Sequence, residues 1–132
     1  MSKKQATILP PGPVMVDVAS TTLTRAEKSR LRDPKVGAVI LFARNFTTRR
    51  ALCALTRDIH EIREEPLLIA VDQEGGRIQR FRDDGMTPLP SMRSLGQYWE
   101  QDPLLGMRAA TAVGFVMASE LRACGVDLSF AP

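Results

Sequence analysis

The chain has 132 residues, 44% of them hydrophobic, and a formal net charge of +3. That length holds one domain at most, and the composition is ordinary for a globular protein. The charge is small and mixed in sign, so no nucleic-acid footprint is expected, and no stretch approaches the ~18 apolar residues of a membrane span.

Met1 to Pro11 form a polar leader with Lys3 and Lys4. It lacks the ~7–15-residue apolar core of a secretory signal, which makes the cytoplasm the expected compartment. Val14 to Val18 is a short β-rich run following Pro10, Pro11 and Pro13. Thr24 and Glu27 have the spacing of a capping box and start a helix that stops near Asp33 and Pro34. Val36 to Ala43, almost wholly apolar, is the second predicted strand. Thr47 or Thr48 caps a second helix, whose Leu52, Leu55, Ile59 and Ile62 follow the helical period.

Leu67 to Val71 is the third strand, preceded by Pro66. Its unbroken apolar run predicts burial on both faces. Asp72 to about Pro90 is a longer loop with turn points at Gly75, Gly76 and Gly85, and Ser91 to Leu95 is a short helical turn. Asp102 and Pro103 supply an N-cap and a first-position proline. The helix they start runs to about Cys124 and stops at Gly125, with Leu105, Ala109, Val113, Val116, Met117 and Leu121 as its predicted inward face. Val126 to Ala131 is the fourth strand.

Cys53 and Cys124 form no metal or CxxC pattern and are expected to be reduced, partly buried thiols. His60, the single histidine, belongs to the flank of the second helix rather than to a catalytic group. No His, Cys or Asp cluster has ligand spacing, so neither a metal nor an organic cofactor is expected.

Four strand–helix units with doubly buried strands imply an α/β fold with a parallel sheet and right-handed crossovers. A doubly wound sheet and a (β/α)8 barrel both fit. No GxGxxG follows the first strand, and the ending at Pro132 favours a barrel of which only the first four strand–helix units are present. The expected organisation is a leader over 1–11 and the amino-terminal half of a barrel over 12–132.

Asp72 lies where the third strand leaves the core, the end at which parallel α/β proteins bind ligands. Taken alone it is as readily a turn cap. Gly75 and Gly76 allow positive φ and close backbone approach to a ligand, or simply make a tight turn. Arg77 and Arg80 would point one way if the segment turned helically, and Arg80 would otherwise be a surface charge or pair with Asp83 or Asp84.

The segment Val71-Asp72-Gln73-Glu74-Gly75-Gly76-Arg77-Ile78-Gln79-Arg80-Phe81 closely resembles the signature of the bacterial β-N-acetylhexosaminidases of glycoside hydrolase family 3. Gly12 to Val18, Val36 to Asn45, Leu89-Pro90, Met117 to Glu120 and Asp127 to Pro132 are similar to further family elements, in the same order. The resemblance implies a TIM-like barrel and a retaining hydrolase. Such an enzyme removes terminal N-acetylglucosamine from muropeptides during cytoplasmic peptidoglycan recycling. It further implies that Asp72 and Arg80 bind the non-reducing sugar, with Asp17, Glu74, Gly75 and Gly76 in support.

The family's nucleophile and its histidine–aspartate acid/base pair come later in the barrel than Pro132. The isolated chain is therefore expected to carry part of the sugar site, no catalytic residue and no activity. It is also expected to self-associate through its open strand edges. Two other readings stay open. One is a non-catalytic glycan-binding module. The other is a small α/β domain binding a phosphorylated ligand through Gly75, Gly76, Arg77 and Arg80.

Overall fold

The computed structural model describes residues 12–131, so the predicted leader lies outside the described residues. Four parallel strands make the main sheet: β1 (Val14–Asp17), β2 (Val36–Leu41), β3 (Leu68–Val71) and, after a hairpin and two helices, β6 (Leu128–Ser129). Their order across the sheet follows the chain without reversal. Helices α1 (Arg25–Leu31) and α2 (Arg49–His60) fill the first two crossovers. The third holds the hairpin β4 (Gln73–Gly75) and β5 (Ile78–Gln79), then α3 (Met92–Gln101) and α4 (Pro103–Ala123).

Local signals set several boundaries. Thr24 caps α1, and its reciprocal box with Glu27 forms as expected. Of the two candidate caps for α2, Thr48 is the one used, accepting from the Ala51 N–H. Asp102 caps α4 through the Leu104 and Leu105 N–H groups, and Gly125 leaves the helix at φ +76°.

Glu27 is 7% exposed. Its carboxylate accepts from the Ala19 N–H (2.7 Å), the Thr24 N–H (2.8 Å) and the Thr24 hydroxyl (2.7 Å). The Thr24 hydroxyl, with the Ala19 and Thr24 N–H groups, outweighs burial and holds the Glu27 carboxyl below its ordinary value. More protons then bind the unfolded chain than the folded one. This contribution is fully present above the unfolded-state pKa and drains away as pH falls through the lowered folded value. Glu27→Gln is expected to destabilise the chain by ~1–2 kcal/mol at neutral pH, with the difference from wild type shrinking in acid. Urea titrations at both pH values check this.

One face of the sheet carries the core. Val39 and Leu41 of β2 and Ile69 and Val71 of β3 are buried there with Leu31, Leu52, Leu55, Ile59 and Leu121 from the helices. The other face, set by the register Met15–Ala38–Leu68 and Ile40–Ala70–Leu128, stays open. Met15, Leu68 and Leu128 are 38%, 42% and 42% exposed, and of these paired residues only Ala70 is fully buried. The expectation of strands buried on both faces is corrected accordingly: all covering elements pack on one side, and nothing described covers the other.

Other elements also depart from expectation. β2 ends at Leu41 rather than Ala43 because Asn45 folds the chain into a 3₁₀ turn over Ala43–Asn45. The buried Asn45 amide accepts from the Phe42 N–H (2.8 Å) and donates to the Val18 (3.0 Å) and Ser20 (2.8 Å) carbonyls, tying the ends of β1 and β2 together. The predicted Ser91–Leu95 turn extends to the ten-residue α3, capped by Ser91 and packed on α4.

The predicted inward face of α4 is buried only at Leu121. Ala109, Val113, Val116 and Met117 are half-buried, and Leu105 is exposed. The helix docks on the core at its C-terminal end only. By length and composition α4 is apolar enough to cross a membrane, with a mean hydropathy of 1.3 over its most apolar window. Arg108 breaks the apolar run, and the other residues keep the average high despite it. Of the predicted fourth strand, Val126 to Ala131, only Leu128 and Ser129 pair, with Ala70 and Val71.

Candidate functional site

The C-terminal ends of the first three strands bring Asp17, Phe42 and Asp72 to one edge of the sheet. Asp72 follows Val71 directly, so alternation from Leu68 and Ala70 assigns it to the open face. Its Oδ2 accepts from Arg80 Nη2 at 3.2 Å, and the two side chains are 26% and 30% exposed. Arg80 thus pairs with Asp72, eight residues away, rather than with Asp83 or Asp84. Asp84 instead accepts from the Arg49 N–H (2.6 Å) at the start of α2.

The pair is rooted in a rigid hairpin. Gln73, 2% exposed, turns both ends of its amide to the segment that follows the turn. Its Oε1 accepts from the Arg80 (2.9 Å) and Phe81 (3.0 Å) N–H groups, and its Nε2 donates to the Phe81 carbonyl (3.1 Å). Gln79 donates to the Phe81 (3.1 Å) and Thr87 (2.9 Å) carbonyls and accepts from the Leu89 N–H (2.9 Å). Phe81 is fully buried and stacks on Phe46, ring centroids 5.2 Å apart. A satisfied buried amide costs little and fixes geometry.

Gly75 and Gly76 take φ +87° and +55°. A Cβ on Gly75 would meet the Pro90 carbonyl oxygen at 2.1 Å, and one on Gly76 the Ser91 Cβ at 2.7 Å. The Gly76 N–H also donates to the Leu89 carbonyl at 2.8 Å. The close approach this pair permits is therefore made by the chain's own 89–91 segment, not by a ligand. The expected helical turn, which would have aligned Arg77 with Arg80, is a hairpin instead. Arg77 is exposed in its turn, while Arg80 is half-buried beside Asp72.

Two residues that sequence reasoning missed complete the row. Arg44 pairs with Asp17, donates from Nε to the Val18 carbonyl (3.2 Å) and stands 4.7 Å over the Phe42 ring. Arg80 stands 5.9 Å from the same ring. Phe42 follows β2 as Asp72 follows β3, which was the available signal. The Asp17–Arg44 pair is half-exposed and contributes little to stability by itself. Glu74 is half-buried in β4, and its carboxylate makes no hydrogen bond among the described residues.

The principal cavities are lined elsewhere. One, open to solvent, adjoins the row through Asp17, Glu27, Arg30 and Arg44, while Asp72 and Arg80 face the uncovered side of the sheet. His60 is remote from this edge. Its Nε2 lies 3.1 Å from Asp127 Oδ2, which also accepts from the Ile69 N–H (2.9 Å) near the opposite end of β3. Among the described residues no three His, Cys, Asp or Glu side chains gather to hold a metal.

Chemically, Asp72 retains lone pairs for hydroxyl donors, and Arg80 fixes its orientation while keeping donors of its own. That suits a polyhydroxylated ligand. Residues 13–132 match the model of the glycosyl hydrolase family 3 N terminal domain, and the chain belongs to that family. It is 72% identical over 130 residues to the beta-hexosaminidase of Bordetella pertussis, covering 98% of this chain and 37% of that protein. NagZ from Neisseria gonorrhoeae, solved with a zinc ion, superposes with a TM-score of 0.91 at 52% identity, over 94% of this chain and 37% of that one. The same protein in complex with N-trifluoroacetyl-D-glucosamine gives a TM-score of 0.90 over 94% and 36%. The chain thus spans a little over a third of the length of these relatives.

Proposed function

We propose that this chain supplies the non-reducing-sugar subsite of a retaining β-N-acetylhexosaminidase. The enzyme releases terminal N-acetylglucosamine from muropeptides in the cytoplasm, in peptidoglycan recycling. The observation that carries this reading is the Asp72–Arg80 pair, held at the C-terminal edge of β3 by the Gln73 amide. Asp72 accepts hydrogen bonds from sugar hydroxyls. Arg80 orients that carboxylate and donates to a sugar oxygen. Asp17 and Glu74 support the rim, and Gly75 and Gly76 act through the hairpin they allow. The relatives named beta-hexosaminidase, and the N-acylated glucosamine held by the gonococcal NagZ, support the substrate class.

The strand order supports a fold of the first four units of a (β/α)8 barrel, spanning 12–132. A doubly wound sheet reverses its order, and this sheet does not. The open face carrying Met15, Leu68 and Leu128 is then the side that turns toward the barrel lumen. A retaining glycosidase needs a nucleophilic carboxylate and a separate acid/base group. In this reading the reacting groups come from the length of the relatives that this chain does not span.

An aryl N-acetyl-β-glucosaminide assay tests the reading. The complete enzyme is expected to turn the substrate over and to be inhibited competitively by N-acetylglucosamine but not by inorganic phosphate. The 132-residue chain alone is expected to give no turnover above blank. Turnover by the chain alone would place the reacting groups within it, and competition by phosphate would favour an anion site. The open apolar face also leads to self-association of the isolated chain, seen as concentration-dependent sedimentation. A monomer with one sharp thermal transition would contradict that expectation.

A further inference from the structure

The two cysteines are not equivalent. Cys53 is exposed on α2, and Cys124, 1% exposed, caps the C-terminus of α4. Sequence reading expected both to be partly buried. The helices meet closely at this point. The Thr56 hydroxyl, within α2, lies 3.2 Å from the Cys53 carbonyl oxygen and 2.7 Å from that of Cys124. Gly125 lets the chain approach so near that an added Cβ would stand 2.7 Å from the Thr56 Oγ1. The Cys53 thiol donates to the Ala123 carbonyl at 3.8 Å, on the peptide that leads into Cys124. Both cysteines line one surface cavity, beside Thr56 and His60. Burial first, then the neighbouring Cys53 thiol, pushes the Cys124 thiol above its ordinary value.

We propose that Cys53 and Cys124 form a hydroperoxide-oxidisable pair that closes a reversible disulfide between α2 and the end of α4. The Thr56 hydroxyl sits between the two cysteine carbonyls, and the Cys53 thiol reaches the carbonyl just ahead of Cys124, the kind of neighbourhood in which a disulfide, which requires Cα atoms within ~7 Å, can close. Exposure decides the order of events. A hydroperoxide meets Cys53 first, and its sulfur attacks the terminal oxygen. The O–O bond breaks, the corresponding alcohol (water, for hydrogen peroxide) leaves, and Cys53 becomes a sulfenic acid. The Cys124 sulfur then attacks the Cys53 sulfur. The S–S bond forms, the S–O bond breaks, and the departing hydroxide takes up the Cys124 proton as water. Two thiols lose two hydrogens while one hydroperoxide is reduced to alcohol and water. The bond staples α2 to the residue next to the Gly125 turn that feeds β6. None of this depends on the sugar-site reading.

The test is to treat the reduced 132-residue chain with hydrogen peroxide, alkylate the remaining thiols, and measure intact mass and a non-reduced peptide map. Wild type is expected to lose two hydrogens, to take no alkyl group and to yield one peptide pair joined through Cys53 and Cys124. Dithiothreitol should restore both thiols. Cys53→Ser, a conservative change at an exposed position, is expected to keep an alkylatable Cys124 and never to show the loss. Overturning results are a wild type that still takes two alkyl groups, one that stops at oxygen adducts, one whose Cys53 links only to a second copy, or a Cys53→Ser variant that loses two hydrogens.

Discussion

Gly75→Val is expected to destabilise the chain by more than ~3 kcal/mol and to dissolve the hairpin that carries Arg80. Two costs combine at this position. The backbone sits at φ +87°, a conformation that a β-branched residue adopts only under strain. The new Cβ would also overlap the Pro90 carbonyl oxygen, 2.1 Å away, and a backbone atom cannot swing aside as a side-chain end can. If the 89–91 segment retreats, the Gly76 N–H loses the Leu89 carbonyl, and the Gln79 amide loses the Leu89 N–H. The loss therefore spreads from the turn to the root of Arg80. Gly96→Ala is the matched control. Gly96 lies inside α3 with open space where its Cβ would go, so alanine there should add up to ~1 kcal/mol of stability. Urea unfolding of the two variants gives the comparison, and a Gly75→Val variant within ~1 kcal/mol of wild type would remove the hairpin from its supporting role.

What was legible in the sequence was what local chemistry decides. The Thr24–Glu27 box, the Asp102–Pro103 start and the Gly125 stop each satisfy backbone groups within a few residues, so their spacing suffices. Asp72 at the end of β3 was legible for the same reason, because an apolar run that ends on a carboxylate marks where a strand leaves the core. The family resemblance rested on the motif around it, and the family match spans residues 13–132.

What was not legible depends on partners distant in the chain. An apolar strand does not say which of its faces will be covered, and Leu68 and Met15 are exposed although their sequence context is that of a core. The 73–79 hairpin was hidden because Gln73 and Gln79 are polar yet buried, each with both its amide oxygen and its amide nitrogen hydrogen-bonded, so hydropathy placed them in a loop. In sequence, the nearest acidic partners for Arg80 are Asp83 and Asp84. The hairpin instead folds it back onto Asp72, whereas Asp84 is taken by the first turn of α2. Arg44 and Phe42 joined the row only once β1 and β2 lay side by side.

Asp72→Ala in the complete enzyme is the second large expected effect. The substitution removes a charged acceptor from a fixed strand end and leaves Arg80 without its partner. Hydrogen bonds to a carboxylate contribute ~1.5–3 kcal/mol each, and a sugar edge presents two hydroxyls to one carboxylate. A fall in kcat/KM of roughly 10²-fold or more follows from losing both. Folding should change far less, because Asp72 is 26% exposed and its one ion pair is half-solvated. The decisive measurement is therefore kcat/KM of Asp72→Ala on an aryl N-acetyl-β-glucosaminide, taken alongside its urea midpoint. A drop of roughly 10²-fold or more with the midpoint nearly unchanged is the predicted result. A specificity constant close to wild type would show that this carboxylate does not hold the sugar.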